Sequence, residues 1–233
     1  LALACIEFAK IHQSEREIVS SYNLWGSFAH VNPAASLESL GRQIEALIRE
    51  SVPGFLSHPL ADFSGSLAPL VSLANLAHQV SPKKRFVIVI DEFDEIHQEL
   101  YLFGNLAETF FANLRALSRC KNVCFVLVGG ENMPYVMERQ GQKLNNFSSA
   151  SLSYYDRNSE WSDFRSMIQS PVSGVINWYD DALAEVFNVS NGNPYFAKII
   201  CAGALEIAVQ ERDTDISVRE IRHATESRTS LLG

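Results

Sequence analysis

The densest group of reactive side chains in this chain is Asp91-Glu92-Phe93-Asp94-Glu95, four carboxylates in five positions. They follow directly on Phe86-Val87-Ile88-Val89-Ile90, a run that is β-branched and apolar on both faces. Such a run predicts a central strand of a parallel sheet with helices on each side. Open α/β sheets bind ligands at the carboxyl ends of their strands, so acids at this point are placed for chemistry. An Asp there can hold a divalent cation such as Mg²⁺, directly or through water, and the adjacent Glu can polarise a water as general base. The same acids also suit the solvated N-terminus of a helix, where the dipole favours negative charge.

Two further groups carry information. Val123 to Val128 predicts a neighbouring apolar strand, closed by Gly129-Gly130-Glu131-Asn132. Asn132 and Glu131 are both candidates for a polar group beside the first acids, and the sequence does not choose between them. The glycine pair also reads as a turn. Further on stands Ser190-Asn191-Gly192-Asn193-Pro194-Tyr195-Phe196. Pro194 suits a first helical turn, where its missing N–H is harmless. A turn and helix start would use these residue types for backbone reasons alone.

The elements that must position these groups alternate. Leu1 to Ile11 is apolar on nearly every side and predicts a helix buried between layers. It has no capping residue, so its start is expected upstream. The stretch around Gln13 to Ser21 is polar, and Leu24 to Val31, ending at Asn32-Pro33, predicts a short strand. Leu37 to Glu50 carries Leu37, Leu40, Ile44, Leu47 and Ile48 on one helical face, with Ser36 as cap. Residues 51–66 hold Pro53, Gly54, Pro59 and Gly65 and read as a loop. Helices are expected over Leu67 to Val80 and Leu106 to Arg119, and a further strand over Ser149 to Tyr155. Two buried strands joined by a helical crossover indicate a doubly wound α/β sheet. After about residue 157 only helices are expected: Trp161 to Gln169, Asp180 to Asn188, Pro194 to Gln210 and Ser217 to Arg228.

Composition narrows the function. The 233 residues are 47% apolar and 20% charged, as in a packed globular chain. A net charge of −8 argues against a nucleic-acid surface, which is usually basic. The one basic run, Lys83-Lys84-Arg85, reads as a solvated strand entry. No apolar run approaches the ~18–20 residues of a membrane helix. Cys5, Cys120, Cys124 and Cys201 lie in apolar stretches without paired spacing and read as reduced core residues of a cytoplasmic protein. The six histidines have no metal-ligand spacing. Trp25, Trp161 and Trp178 read as packing residues, and Asp180-Asp181 as N-terminal helix charge. Arg115, Arg119, Arg139 and Arg157 include possible arginine fingers for a neighbouring subunit, and none is assigned.

In this order, the motifs resemble the STAND branch of the AAA+-related P-loop ATPases, together with the archaeal-type ATPases near it. Ile90-Asp91-Glu92 stands as the Walker B motif, and Gly192-Asn193-Pro194-Tyr195, a hundred residues further on, as the step that opens a lid helix. The resemblance implies a P-loop NTPase core over residues 1–157 and a small all-helical lid over 158–233, with ATP between them. It implies that Asp91 binds Mg²⁺ and that Glu92 is the catalytic base. Asn132 or Glu131 then occupies the sensor 1 position at the γ-phosphate or lytic water, and Asn193 and Pro194 lie against the nucleotide. It also implies a switch that binds ATP or ADP and is reset by hydrolysis, responds to a protein ligand through another domain, and assembles as a homo-oligomer to activate an effector. Prokaryotic antiviral defence is the leading setting. No G-x-x-x-x-G-K-[ST] loop occurs, so the Walker A residues are expected upstream and the segment alone is expected to be inactive. The alternatives are an AAA+-like ATPase acting on nucleic acid, as an initiator or transposition regulator, and a degenerate interaction module that does not hydrolyse nucleotide.

Overall fold

The computed structural model describes residues 2–12, 15–57, 59–102 and 104–232. The chain divides into two compact units, Leu1–Ser148 and Ser149–Gly233.

In the first unit, α1 (Ala2–His12) leads into β1 (Glu17–Leu24), and α2 (Pro33–Ser51) and α3 (Pro69–Val80) connect β1 to β2 (Lys84–Asp91). Helix α4 (Asn105–Leu117) then connects β2 to β3 (Val123–Leu127), and α5 (Met133–Gln140) follows. The three strands are parallel in the order β1-β2-β3, each pair joined through helical crossovers. Leu24 pairs with Asp91 and Ile90 with Leu127, so all three strands end at one level. Phe86, Ile88, Val89 and Ile90 are fully buried, as the apolar run on β2 predicts. Phe93, Phe110 and Phe111 pack together beneath the strand end, with ring centroids 5.1–6.2 Å apart.

Several expectations are corrected here. The first strand is Glu17–Leu24, not Leu24 to Val31. Its polar residues are tolerated because, among the described residues, β1 has a partner strand on one side only and most of its residues are partly exposed. Trp25–Ser27 instead form a 3₁₀ turn that buries Trp25. Helix α2 starts one turn earlier than expected. Asn32 caps it, its side chain accepting the Ala34 N–H at 3.0 Å, and Pro33 fills the first turn. The proposed cap, Ser36, is buried and accepts the His30 N–H at 2.8 Å. Helix α1 is not covered on all sides: Ile6 is buried, whereas Leu3, Phe8 and Ile11 are exposed, because no second layer lies over them among the described residues. Residues 149–155 form no strand. Among the described residues no strand lies beside them to satisfy their backbone, and nearly all are exposed to water.

The loop over 51–66 is pinned rather than loose. Arg49 and Glu45, both buried, pair at 2.8 Å on α2. Arg49 also donates to the carbonyls of Phe55 (2.8 Å) and Pro59, while Glu45 accepts the Ala61 N–H at 2.9 Å. Burial pushes the Glu45 carboxyl up, but the Ala61 N–H and the Arg49 guanidinium outweigh it and hold the group below its ordinary value. The loop thereby delivers Phe55 and Phe63 to the core.

The second unit contains α6 (Trp161–Gln169), α7 (Asp180–Ser190), α8 (Pro194–Glu211) and α9 (Val218–Leu232) around Phe164, Trp178, Val186, Ile200 and Ile221. It is not wholly helical. β4 (Asn177–Trp178) and β5 (Asp215–Ile216) form a short parallel pair, seating Trp178 and Ile216 in the core. Asp180 and Asp181 occupy the first turn of α7, as expected. Trp25 and Trp178 are buried packing residues; Trp161 stacks on Phe164 at 5.8 Å and carries the Arg157 guanidinium over its ring. Cys120 and Cys201 are buried, and burial pushes the Cys201 thiol up to about 12. Cys124 is exposed, contrary to expectation, because it faces outward on β3; the Cys5 side chain lies outside the described residues. Among the described residues no helix is long and apolar enough to cross a membrane.

Candidate functional site

The sheet brings one expected group together at the end of β2. Asp91 is its last residue and is half-buried. Its Oδ1 accepts the Glu92 N–H at 2.9 Å, and its Oδ2 accepts the hydroxyl of Tyr22 from β1. That hydrogen bond, then desolvation and the nearby charges of Asp91 and Glu92, raise the Tyr22 pKa above its ordinary value. An ionised carboxylate has about four lone-pair sites, so each oxygen of Asp91 keeps capacity for a cation or its waters.

Glu92 leaves the strand in the left-handed conformation, φ 56° and ψ 35°. A non-glycine residue held there is strained by about 1–2 kcal/mol. The surroundings enforce it: the next residue, Phe93, is fully buried, and its N–H donates to the Val128 carbonyl at 2.8 Å. The turn directs Phe93 into the core and leaves the half-buried Glu92 carboxylate with no hydrogen bond or ion pair among the described residues. Gly26, just past β1, comes close to it: a Cβ on Gly26 would lie 3.9 Å from Glu92 Oε2.

Asp94 has a role that the sequence reading missed. Its Oδ2 accepts the Asn132 N–H at 3.2 Å. A Cβ on Gly129 would lie 2.8 Å from Asp94 Oδ1 and 3.1 Å from Met133 Sδ. Neither Gly129 nor Gly130 has positive φ, so Gly129 serves close approach rather than a left-handed turn. Asp94 thus ties the loop after β3 to the turn after β2. Asn132 and Glu131 are both exposed on that loop, at the start of α5. The Gly-Gly pair and the surplus of acids were the available signals, but their pairing across 38 residues has no local signature.

Within the second unit, Asn193 and Pro194 open α8. Asn193 Oδ1 accepts the N–H groups of Tyr195 at 2.9 Å and Phe196 at 3.3 Å, and Pro194 takes the first turn. Gly192 has φ +72°, and a Cβ there would run into the Tyr155 carbonyl oxygen, whose own N–H donates to Gly192 O at 2.9 Å. Asn193 Oδ1 is therefore engaged by the helix, and its amide N–H groups are the part free to meet a ligand. Arg115 reaches the Gln142 carbonyl, Arg139 lies over Tyr135, and Arg157 over Trp161.

The chemistry of these donors fits a small hard cation. Among the described residues no three His, Cys, Asp or Glu side chains converge to enclose a metal. Mg²⁺ is commonly held by one or two carboxylates, with waters and phosphates completing the shell. A single oriented carboxylate, with a free one beside it, matches that pattern.

No protein-family model and no curated protein matches the chain. Solved structures do. The ORC2 protein of Aeropyrum pernix in its ADP form is similar at 16% identity and a TM-score of 0.59, over 97% of this chain and 57% of that one. The ADPNP–ADP complexes of the same protein give 14% identity and a TM-score of 0.55 over the same shares. This chain therefore spans less than two thirds of those chains. The chain shares with these ORC2 structures a parallel α/β sheet followed by a mostly helical unit.

Proposed function

We propose that this chain is the metal-and-water half of an ATP-binding and hydrolysing module, working as a nucleotide-controlled switch of the STAND type. One observation carries the reading: Asp91 ends the middle strand of the described parallel sheet with both its oxygens fixed by donors, and Glu92 follows it with no hydrogen bond or ion pair to its carboxylate among the described residues. In this reading Asp91 holds Mg²⁺ on the nucleotide phosphates and Glu92 draws a proton from the attacking water. Asn132 or Glu131 meets the γ-phosphate or that water. Asn193 and Pro194 are the nucleotide-facing residues of the second unit. Nucleotide exchange would control homo-oligomerisation and an effector in antiviral defence, with a protein ligand sensed elsewhere in the full-length protein. ADP- and ADPNP-bound ORC2 chains of similar fold support nucleotide as the ligand.

The test is Mg²⁺-dependent ATP binding by the full-length protein. Asp91→Ala is expected to weaken it; unchanged Mg²⁺-ATP affinity and turnover would remove the assignment.

A second reading, an AAA+-like ATPase acting on nucleic acid, is favoured by the fold shared with ORC2, and the net charge of −8 opposes it. The switch reading expects weak DNA binding that falls steeply with salt. Tight, sequence-selective DNA binding by the full-length protein at physiological salt would select the second.

A further inference from the structure

We infer that Tyr22 is a positioning residue for the metal-binding carboxylate of Asp91, an inference that rests on the nucleotide reading above. Tyr22 lies opposite Val89 in the β1–β2 register, and Asp91 is two residues further along the same strand. The two are diagonal neighbours, a separation that long aromatic side chains span across a sheet. A serine or threonine at position 22 would fall short, and phenylalanine would reach without donating. The hydroxyl of Tyr22 donates to Asp91 Oδ2 while the Glu92 N–H donates to Oδ1 at 2.9 Å. Two donors on two different oxygens fix both the position and the plane of the carboxylate.

The strand that brings Tyr22 is itself tied at this level. Asn23, buried beside it, donates through Nδ2 to the Val89 carbonyl at 2.9 Å and to Ser21 Oγ at 3.0 Å. Tyr22 is 44% exposed, so its ring contributes little to the core, and its hydrogen bond is the feature that connects it to the site. Outer-sphere donors of this kind orient metal-ligating carboxylates, and their loss usually lowers metal affinity by about 10–100-fold. Tyr22 touches neither water nor phosphate in this account; it acts through Asp91.

The experiment is an Mg²⁺ titration of the binding of a fluorescent ATP analogue to the full-length protein, repeated in EDTA, for Tyr22→Phe and Asp91→Asn. Tyr22→Phe is expected to raise the Mg²⁺ concentration for half-maximal binding by about tenfold. Its affinity in EDTA should match the wild type, and its kcat should recover at saturating Mg²⁺. Tyr22→His, which keeps a ring donor, should recover part of the loss. An unchanged midpoint in Tyr22→Phe alongside a lost Mg²⁺ response in Asp91→Asn would overturn the role of Tyr22 and leave the nucleotide reading standing. Equal losses in EDTA and in Mg²⁺ for Tyr22→Phe would make the residue a packing element and also overturn it. An intact Mg²⁺ response in Asp91→Asn would overturn both.

Discussion

The left-handed backbone at Glu92 makes a prediction that separates stability from chemistry at one residue. Its φ of 56° is a conformation that glycine adopts freely and other L-residues adopt at a penalty of about 1–2 kcal/mol. Glu92→Gly removes that penalty. Glycine also loses more chain entropy on folding, worth about 0.5–1 kcal/mol in the other direction. The Glu92 side chain has no hydrogen bond or ion pair among the described residues, so little else is lost with it. The net expectation is a gain of about 0–1.5 kcal/mol, each kcal/mol raising the melting point by about 2–4 °C for a chain of this size. Glu92→Gln keeps the Cβ and the strain, so its melting point should equal that of the wild type. Thermal unfolding of the three proteins, followed by circular dichroism at one scan rate, makes the comparison. If Glu92→Gly melts at or below Glu92→Gln, the turn is unstrained or the side chain stabilises the fold, and the strain reasoning is refuted.

Three other perturbations test the packing that holds the two units. Arg49→Ala leaves the buried Glu45, among the described residues, with only the partly exposed Arg42 as ion partner, at 3.2 Å, and should destabilise the first unit by about 3 kcal/mol in urea titrations. Asn193→Ala deletes the cap of α8 and should lower stability by about 1 kcal/mol; a variant as stable as the wild type would show that the two N–H bonds contribute nothing. Glu220 caps α9 by accepting the Ser217 N–H at 2.8 Å and its hydroxyl at 2.7 Å. Burial pushes its carboxyl up, but Ser217 and Arg219 outweigh it and bring the pKa down to about 2. A depressed carboxyl stabilises the fold above its unfolded pKa of about 4.3, and that stability is lost as pH falls towards 2. Discounted for the solvent screening of Arg219, which is 66% exposed, the contribution is about 1–2 kcal/mol. Glu220→Gln should flatten that part of the pH–stability curve.

What the residues announce and what they conceal divide along physical lines. The middle strand was legible because Phe86 to Ile90 is buried on both faces, a condition that only apolar residues meet. The first strand was not. Glu17–Leu24 is an edge strand among the described residues; Ser20 and Ser21 are partly exposed there and the buried Asn23 is hydrogen-bonded, conditions that no periodicity records. Asn32-Pro33 was read as a strand stop when it is a helix start; both uses draw on the same fixed φ and missing N–H of proline. The apolar alternation of residues 149–155 belongs to a segment with no strand to pair with. At the site, Asp91 and Glu92 were evident from their place after an apolar strand. Tyr22 was not, since it meets Asp91 across 69 residues of chain. Asp94 was counted among the acids, but its bond to the Asn132 N–H depends on the closeness of β2 to β3 and on the bare backbone at Gly129.

The central claim is that Glu92 activates water beside a metal held by Asp91. Single-turnover ATP hydrolysis by full-length Glu92→Gln, measured together with nucleotide affinity, tests it most directly. Gln keeps the size and most of the hydrogen bonding of Glu but lacks its basicity. Affinity for Mg²⁺-ATP should stay at the wild-type value while hydrolysis falls about 10²–10⁴-fold, the range for losing a general base. Near-normal hydrolysis by the Gln variant would make Glu92 a structural turn residue and contradict the account.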